Sequence, residues 1–535
     1  MRSLQVSRYA KRIAVSSSSL SPCTIVCHGQ SMNDVAQPAA AAHSTSVERP
    51  SAPHVSWRVR LAFAFGQVPE GVQSTAFGIF LLYFYNQVLG LSGTFTSIAI
   101  VIALIVDAIT DPIVGSWSDR TRSRWGRRHP FMYGAALPFA LCFYMLFTPP
   151  AGLSEVGTFI WLASFAVLTR TTLTLYSIPH TAMTAELSTN YDERTLLSAI
   201  RSLFGSIGTL LVMIIGMRGF FRATELYPNG QLNPEAYPWF AATFAVVLVV
   251  GIWISALGTH DQIPKMPKAS HTTGRFGIGQ VIREAAKAFS LRSFRSIVAT
   301  AILFGMTMGM VTTLSIYLGT LFFEFTPDQL SIMFPMTVLG GFIGAMLATP
   351  LSKVISEKKT LLMGGLIWYA MFNTAPIISR LLGIYPENGD PLAFQLVLVC
   401  NSICGLGIGV LGVMLGSMVA DITDQHEELH GERHEGIYYA ALGFAAKAIA
   451  GFGTVLSGII IDIAGIKKNA TAASLDPESL RVLGVALGPG ILVLVGLTLL
   501  AASFYSITRT EHGRMLEVIA RRKGTTETSG HEPAA

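Results

Sequence analysis

Long apolar stretches, each bounded by charged residues or proline, follow one another along the chain. A helix needs roughly 20 apolar residues to cross a membrane core of about 30 Å, whereas the strands of a membrane barrel are only ~10 residues long and alternate in polarity. The pattern therefore predicts twelve membrane-spanning helices, numbered here as spans 1 to 12. Their predicted bounds are 61–87, 95–118, 131–149, 157–184, 196–217, 238–258, 296–320, 329–352, 361–380, 393–418, 437–461 and 483–507.

A basic connector separates the first six spans from the last six. A basic segment also follows the second span of each group, at 115–128 and more weakly at 351–359. Repeats related by an axis along the membrane normal are characteristic of the major facilitator fold. We expect an all-α integral membrane protein of twelve transmembrane helices in two pseudo-symmetric six-helix halves. Its expected regions are a disordered cytoplasmic extension at 1–56, the N-terminal half at 57–258, the connector at 259–294, the C-terminal half at 295–507 and a flexible cytoplasmic tail at 508–535.

Charge and composition agree with this arrangement. Only 13% of the residues are charged and 51% are hydrophobic, which argues against a soluble enzyme. Most of the 38 Lys and Arg residues fall in alternate loops, on the side that also holds both termini. The positive-inside rule therefore predicts cytoplasmic termini in a cytoplasmic membrane. A net charge of +6 spread in this way does not indicate a nucleic-acid-binding domain.

Two carboxylates in span 2 are the clearest candidate chemistry. Asp107 and Asp111 are four residues apart and so share a helix face, with Thr110 beside them. Such a pair favours either a bound cation or one protonated member, and oxygen ligands suit Na⁺ or H⁺. The alternative is a structural charge pair tied to the loop between spans 2 and 3.

Other ionisable residues inside spans are functional candidates by default. Lys447 lies far from both ends of span 11 and is expected to pair with the span 2 carboxylates, unless it forms a purely structural ion pair. Arg201, near the start of span 5, either lines a cavity or extends toward the cytoplasm. Gln67 and Glu70 share a polar stripe of span 1, which either lines a solute pathway or permits close packing. Arg170 in span 4 has no partner that the sequence identifies.

Other classes of chemistry leave no pattern in the sequence. It contains no Walker-type phosphate loop, and no nucleophile and base or metal ligands stand at workable spacing. We therefore expect neither an enzyme nor an ATP-driven pump. We also expect no cofactor, no metal site beyond the candidate cation site, and no obligate protein partner.

Several segments resemble the glycoside–pentoside–hexuronide:cation symporters of the major facilitator superfamily. The matching segments, in chain order, are 107–115, 119–130, 178–194, 420–427 and 431–438. For the melibiose permease branch, the resemblance implies a cation site for Na⁺ or H⁺ made by Asp107, Thr110, Asp111 and Thr174. It also implies that Lys447 couples the cation and solute sites and that Arg201 helps to bind the solute.

The chain departs from that branch at residues that bind sugar. Ser177 replaces a shared carboxylate on span 4, and Val68 stands where span 1 offers a sugar-binding acid. Thr181 and Gly412 occupy positions where that permease has tryptophans. These departures argue against galactoside binding. The candidate solute contacts are Gln67, Glu70, Ser177, Arg201 and Lys447.

The resemblance implies alternating-access import of a sugar- or glycoside-like solute, driven by Na⁺ or H⁺. The span 2, span 5 and span 11 charges are similar to those of sodium-coupled lysophospholipid symporters, which are the second candidate class. A non-transporting sensor on a transporter fold is the third. Cytoplasmic closure is expected to involve the basic loop after span 2 and an acidic loop after span 10, although both could simply be orientation signals. The gating candidates are Asp119, Arg127, Arg128, Asp421, Asp424, Arg433 and Lys447.

Overall fold

Long helices that reverse direction at each connection make up most of the chain. The structure is a computed structural model and describes residues 55–188, 190–266, 289–430 and 451–529; within these ranges it has helices and turns and no strand. Spans 2 to 6 are the helices Gly93–Arg120, His129–Leu146, Glu155–Leu187, Tyr191–Ile215 and Ala236–Gly258. Spans 7 to 10 are Arg292–Tyr317, Pro327–Val354, Lys358–Leu381 and Pro391–His430.

Ten helices of the described chain are long and apolar enough to cross a membrane. They correspond to spans 2 to 10 and span 12, the last of which bends at Gly488 between Pro477–Leu487 and Pro489–Ser503. The described part of span 11 is the shorter apolar helix Gly451–Ile463. Exposed isoleucines recur every four residues along span 2 at Ile105, Ile109 and Ile113, as expected of a face turned toward lipid.

Span 1 is divided, although the sequence predicted one continuous helix. It consists of the helices Trp57–Phe65 and Val68–Thr75 followed by two wider helical turns, Ala76–Leu81 and Phe84–Leu89. The division falls before Pro69, which cannot donate a backbone hydrogen bond and is tolerated in a first helical turn. A side chain at Gly66 would lie 2.3 Å from the Tyr176 hydroxyl, so glycine permits the close approach of span 4 there.

The prediction of an acidic loop after span 10 is wrong for the described residues, because the helix continues to His430. Residues 417–430 contain neither glycine nor proline, and charged side chains do not themselves end a helix. Asp421 and Asp424 therefore lie on the last turns of span 10, in fixed positions relative to its apolar part.

The expectation of a flexible tail is also wrong where the tail is described. Residues Arg509–Ser529 form a helix that packs against the end of span 10. Met515 and Ile519 are buried one turn apart, and Arg522 donates to the Glu428 carbonyl oxygen at 2.6 Å. Burial of this apolar stripe explains why a charged segment is ordered. The N-terminal extension to residue 54, connector residues 267–288, Arg433 and Lys447 lie outside the described residues.

Candidate functional site

Two carboxylates and one threonine hydroxyl meet between spans 2 and 4. Asp107 is 1% exposed, and Asp111 is half-buried one turn along the same helix. The Thr174 hydroxyl oxygen lies 2.7 Å from Asp107 Oδ1 and 3.0 Å from Asp111 Oδ1. A hydroxyl has one hydrogen, so it can donate to only one of these oxygens at a time. A proton on one carboxylate, or a small cation bound among the three oxygens, would make both contacts favourable.

Thr110 has a different contact from the one that its predicted role requires. Its hydroxyl donates to the Asp107 carbonyl oxygen at 3.1 Å, within span 2 itself. Threonine commonly bonds back to its own helix in this way. The structure therefore brings together Asp107, Asp111 and Thr174 of the predicted cation-binding set, while the Thr110 hydroxyl hydrogen is directed to the backbone.

Arg170 lies beside this site, and the sequence had not identified its partner. Its Nη1 atom is 3.5 Å from Asp107 Oδ2, and its guanidinium lies over the Phe77 ring, 5.2 Å from the centroid. Asp111 and Glu70 also contribute to its electrostatic surroundings. The positive charge compensates part of the charge of the two aspartates. The available signal was the four-residue spacing of Arg170 and Thr174, which places both on one face of span 4.

A second polar cluster joins spans 1, 4 and 5. Arg201 Nη1 lies 2.7 Å from the Thr181 hydroxyl oxygen and 3.4 Å from Gln67 Oε1. The Phe65 and Phe204 rings, near Gln67 and Arg201 in sequence, are 5.8 Å apart between spans 1 and 5. The arrangement offers a guanidinium, an amide and apolar ring surface to a solute, which are the groups that line small-molecule sites.

One face of span 4 connects the two clusters. Arg170, Thr174, Ser177 and Thr181 follow one another at spacings of four, three and four residues and so lie on the same side of the helix. At 1.5 Å per residue this face extends over about 16 Å. Ser177 is half-buried between the cluster that contains Asp107 and the one that contains Arg201. Span 4 is therefore the physical link between the candidate cation site and the candidate solute site.

The basic end of the bundle is defined here as the end with the 119–130 loop, the 353–358 turn and the helix Arg509–Ser529. Arg127 and Arg128 both donate to Glu186 Oε1 at 2.8 Å, and Arg128 also donates to the Ser118 hydroxyl at 2.6 Å. Arg128 is paired with Asp119 as well. All of these residues belong to spans 2 to 4 and their connections.

The charges at the end of span 10 are paired within the C-terminal half. Lys358 Nζ lies 2.6 and 2.8 Å from the two oxygens of Asp421, and the Tyr505 hydroxyl donates to Asp421 at 3.3 Å. His512 Nε2 is 3.0 Å from Asp424 Oδ2 and 3.5 Å from Asp421 Oδ1. Burial, and secondarily the negative charge of Asp421, raises the pKa of Tyr505 above its usual value of 10.

The predicted latch between the basic loop and the acidic segment is not formed by these residues in this structure. Arg127 and Arg128 bind Glu186, and Asp421 binds Lys358, so neither set bridges the two halves in this structure. Contacts between the halves lie instead at the other end of the bundle.

That other end, the sealed end, comprises the connections that follow spans 1, 3, 5, 7, 9 and 11. Asp462 of span 11 accepts hydrogen bonds from the Gly93 and Thr94 amides, both at 2.8 Å, and from the Ser92 hydroxyl at 3.0 Å. A carboxylate at a helix N-terminus accepts hydrogen bonds from amides that have no partner within the helix. Its negative charge also interacts favourably with the positive end of the helix dipole. A side chain at Gly458 would lie 2.2 Å from the Gly93 carbonyl oxygen, so spans 2 and 11 are in backbone contact.

More contacts between the halves occur at the same end. The Tyr317 hydroxyl donates to Asn86 Oδ1 at 3.0 Å, and the Ala470 amide donates to Gln87 Oε1 at 3.0 Å. Arg218 Nε donates to the Ser331 hydroxyl at 2.8 Å. The sequence does not indicate this set, because its residues are common polar types whose pairing depends on the packing of distant spans.

Comparison with known proteins gives a consistent result. The family described as MFS/sugar transport protein matches residues 62–509. The isoprimeverose transporter of Lactiplantibacillus pentosus is 25% identical over 495 residues, which cover 90% of this chain and 94% of that protein. The sodium-dependent lysophosphatidylcholine symporter 1 of Xenopus tropicalis is 23% identical over 473 residues, 82% of this chain and 86% of that protein.

Solved structures share the fold at lower sequence identity. The crystal structure of a D-xylose-proton symporter superposes with a TM-score of 0.56 and 15% identity, covering 85% of this chain and 98% of that one. A bacterial homologue of the human lysosomal transporter Spinster gives a TM-score of 0.56 at 12% identity, with 86% and 97% covered. Similarity at this level shows the fold alone.

Proposed function

The chain belongs to the MFS/sugar transport protein family, and from that premise we propose that it is a cation-coupled symporter for a sugar- or glycoside-like solute. It has the major facilitator fold and is a multi-pass membrane transporter rather than an enzyme. The coupling ion, the solute and the residues that bind them are the proposed part.

The observation that carries the proposal is the contact of one hydroxyl with two carboxylates. Asp107, Asp111 and Thr174 present oxygen atoms to one point inside the membrane-spanning region, where an unneutralised pair of carboxylates is costly. Arg170 balances one of the two negative charges. A monovalent cation, Na⁺ or H⁺, bound among these oxygen atoms would lower the remaining negative charge of the site.

The solute is proposed to bind between the halves, beside the Arg201 cluster, with Gln67, Glu70, Ser177, Arg201 and Lys447 as its proposed contacts. Bound cation and bound solute then influence each other through span 4, and each raises the affinity for the other by the same factor. With the basic end in the cytoplasm, the structure corresponds to a state closed toward the outside. Transport requires the sealed end to open and the basic end to close, with Asp119, Arg127, Arg128, Asp421, Asp424 and Arg433 as the proposed gating residues.

The first experiment measures thermal stability of the purified protein with glycosides, uronides and lysophospholipids, each in Na⁺ and in K⁺, and in a pH series. A ligand that binds the native state raises its stability by mass action. The proposal predicts a glycoside-type ligand whose effect depends on Na⁺ or on protons. The dependence should disappear in Asp111→Asn and persist in Asp261→Asn, an exposed aspartate outside the site.

The other classes of function give different results in the same experiment. If only lysophospholipid stabilised the protein in a cation-dependent way, the substrate would be an amphiphile and not a glycoside. The name of the Xenopus relative suggests this alternative. A sensor on a transporter fold would bind solute without any dependence on a cation and would not accumulate it. Either result would contradict the proposed substrate class or the proposed coupling.

A further inference from the structure

Arg170 is unusually placed for a buried arginine. Its side chain is only 18% exposed, yet its closest charged contact, to Asp107, is 3.5 Å long. The Nε atom is buried and has no hydrogen-bond partner. Buried arginines ordinarily satisfy their donors with short, paired bonds to a carboxylate. The guanidinium is therefore held near Asp107 without being fully bound there.

A second carboxylate, that of Glu70 on span 1, also interacts electrostatically with Arg170. Spans 1 and 4 are antiparallel neighbours, since the Tyr176 hydroxyl donates to the Gly66 carbonyl oxygen at 2.6 Å and His180 Nε2 lies 2.8 Å from the Phe63 carbonyl oxygen. Continuing this register along both helices places Arg170 at a level between Glu70 and Phe77. Glu70 is half-buried and, with Asp107, contributes to the electrostatic surroundings of Arg170.

We propose that Arg170 exchanges its ion-pair partner, leaving Asp107 for Glu70 when the coupling cation binds. The inference rests on the proposed cation site at Asp107, Asp111 and Thr174. A cation at this site neutralises Asp107 and weakens its attraction for the guanidinium, while the attraction of Glu70 is unchanged. The Phe77 ring, over which the guanidinium lies, offers it a favourable surface that does not depend on a short bond to Asp107.

The exchange transmits cation binding to the solute cluster. Glu70 lies three residues after Gln67, which contacts Arg201 at 3.4 Å. When Arg170 pairs with Glu70, the negative charge beside the solute cluster is cancelled. Arg201 and a solute then experience a different local field, which changes solute affinity without any contact between solute and cation. Arg170 thus acts as a positioning residue for coupling.

The test is a double-mutant cycle on cation binding in solute-free protein. The probe is Na⁺, titrated against choline at constant ionic strength, with a pH series as the arm for protons; the readout is the midpoint of the stabilisation. Arg170→Gln removes the competitor at Asp107, so half-stabilisation should require an at least about tenfold lower cation concentration. Glu70→Gln removes the alternative partner of Arg170, so Arg170 stays at Asp107. Half-stabilisation of this variant should require a cation concentration that is roughly threefold higher or more.

The decisive result is the combination of the two variants. If Arg170 carries the effect of Glu70, then Glu70→Gln should change cation affinity hardly at all in the Arg170→Gln background. Arg170→Lys, which retains a positive charge on a shorter side chain, replaces Arg170→Gln in the cycle if the latter does not fold. Arg222→Gln, at an exposed arginine outside the site, is the matched control.

The outcomes separate the inference from the proposed function. Additive effects of Arg170→Gln and Glu70→Gln in a protein that binds the cation would overturn the exchange and leave the cation site standing. No stabilisation of the unmutated protein by Na⁺ or by protons would overturn the cation site and the exchange together.

Discussion

The two ends of the helical bundle organise their polar groups in opposite ways. At the sealed end, Asp462 joins span 11 to the start of span 2, and Tyr317 joins span 7 to span 1, so the bonds cross between the halves. At the basic end, Arg128 binds Glu186 and Lys358 binds Asp421, each within its own half. The sealed end depends on contact between the halves, and the described charge clusters of the basic end do not.

The difference indicates which contacts must break when the protein changes from one conformation to another. Opening the sealed end breaks hydrogen bonds and a backbone contact between spans 2 and 11. Separating the halves at the basic end leaves the Arg128 and Lys358 clusters intact. A change at the sealed end should therefore alter the balance between states, whereas a change at the basic end should alter the stability of one half.

The largest effect is expected from a bulky side chain at Gly458. Gly458→Leu places atoms where the Gly93 carbonyl oxygen lies, 2.2 Å from the first carbon of the side chain, so the sealed end cannot close. We expect solute transport to fall below roughly a tenth of the unmutated level while the protein still inserts in the membrane. Gly496→Leu on span 12, where a side chain meets nothing within 4 Å, is the matched control. Normal transport by Gly458→Leu would show that this end need not close.

A smaller shift in the balance between closed and open states is expected when Asp462, at the N-terminus of span 2, loses its charge. Asp462→Asn weakens the bonds to Ser92, Gly93 and Thr94 and should cost about 1 kcal/mol, or roughly a fivefold shift toward the open state. The measurement is the labelling rate of Ser97→Cys, a buried position at the same contact, in a chain whose native cysteines are serine. An unchanged labelling rate would mean that Asp462 does not hold this end closed.

The basic end should respond differently to loss of its central acceptor. Glu186→Gln removes the charge that Arg127 and Arg128 share, and we expect a loss of about 1–3 kcal/mol in stability because both guanidinium groups are largely buried. The labelling rate of Ser97→Cys should stay the same. Thermal unfolding and labelling of the same samples check both expectations. Faster labelling would show that the Glu186 contacts also hold the sealed end closed.

The smallest effect concerns the Tyr505 hydroxyl. Tyr505→Phe should cost about 1 kcal/mol at pH 7 by removing one hydrogen bond to Asp421. Because the folded-state pKa of Tyr505 is raised, its contribution is fully present below pH ~10 and is lost as the pH rises further. Unfolding midpoints between pH 7 and 11 should therefore fall less steeply above pH 10 in the variant. Parallel curves would contradict this role of Tyr505.

The sequence predicted the features that depend on local pattern. Hydrophobic length indicated the membrane spans, and the four-residue spacing of Asp107 and Asp111 indicated a shared face. Thr174 was added by family resemblance, and the structure places its hydroxyl against both carboxylates. These features are readable because a helix repeats every 3.6 residues and because a charge inside a membrane is rare.

The rest depends on which spans are neighbours, which a single sequence does not reveal. Arg170 had no partner in the sequence, since its nearest carboxylate is on another helix. The latch between the basic and acidic segments stays a prediction, because in this structure Arg128 binds Glu186 and Asp421 binds Lys358, each within its own half. The prediction of a flexible tail is wrong for Arg509–Ser529, because the burial of Met515 depends on packing against span 10. Composition alone does not show this packing.

Coupled transport as proposed requires a cation bound at Asp107, Asp111 and Thr174, and gradient-driven accumulation in proteoliposomes measures this requirement most directly. The measurement compares the unmutated protein with Asp111→Asn, using the solute found in the stability experiment and an inward Na⁺ or proton gradient. We expect concentrative uptake by the unmutated protein. We expect gradient-driven accumulation to be lost in Asp111→Asn at similar expression. Equal accumulation by both proteins would contradict the proposed cation site.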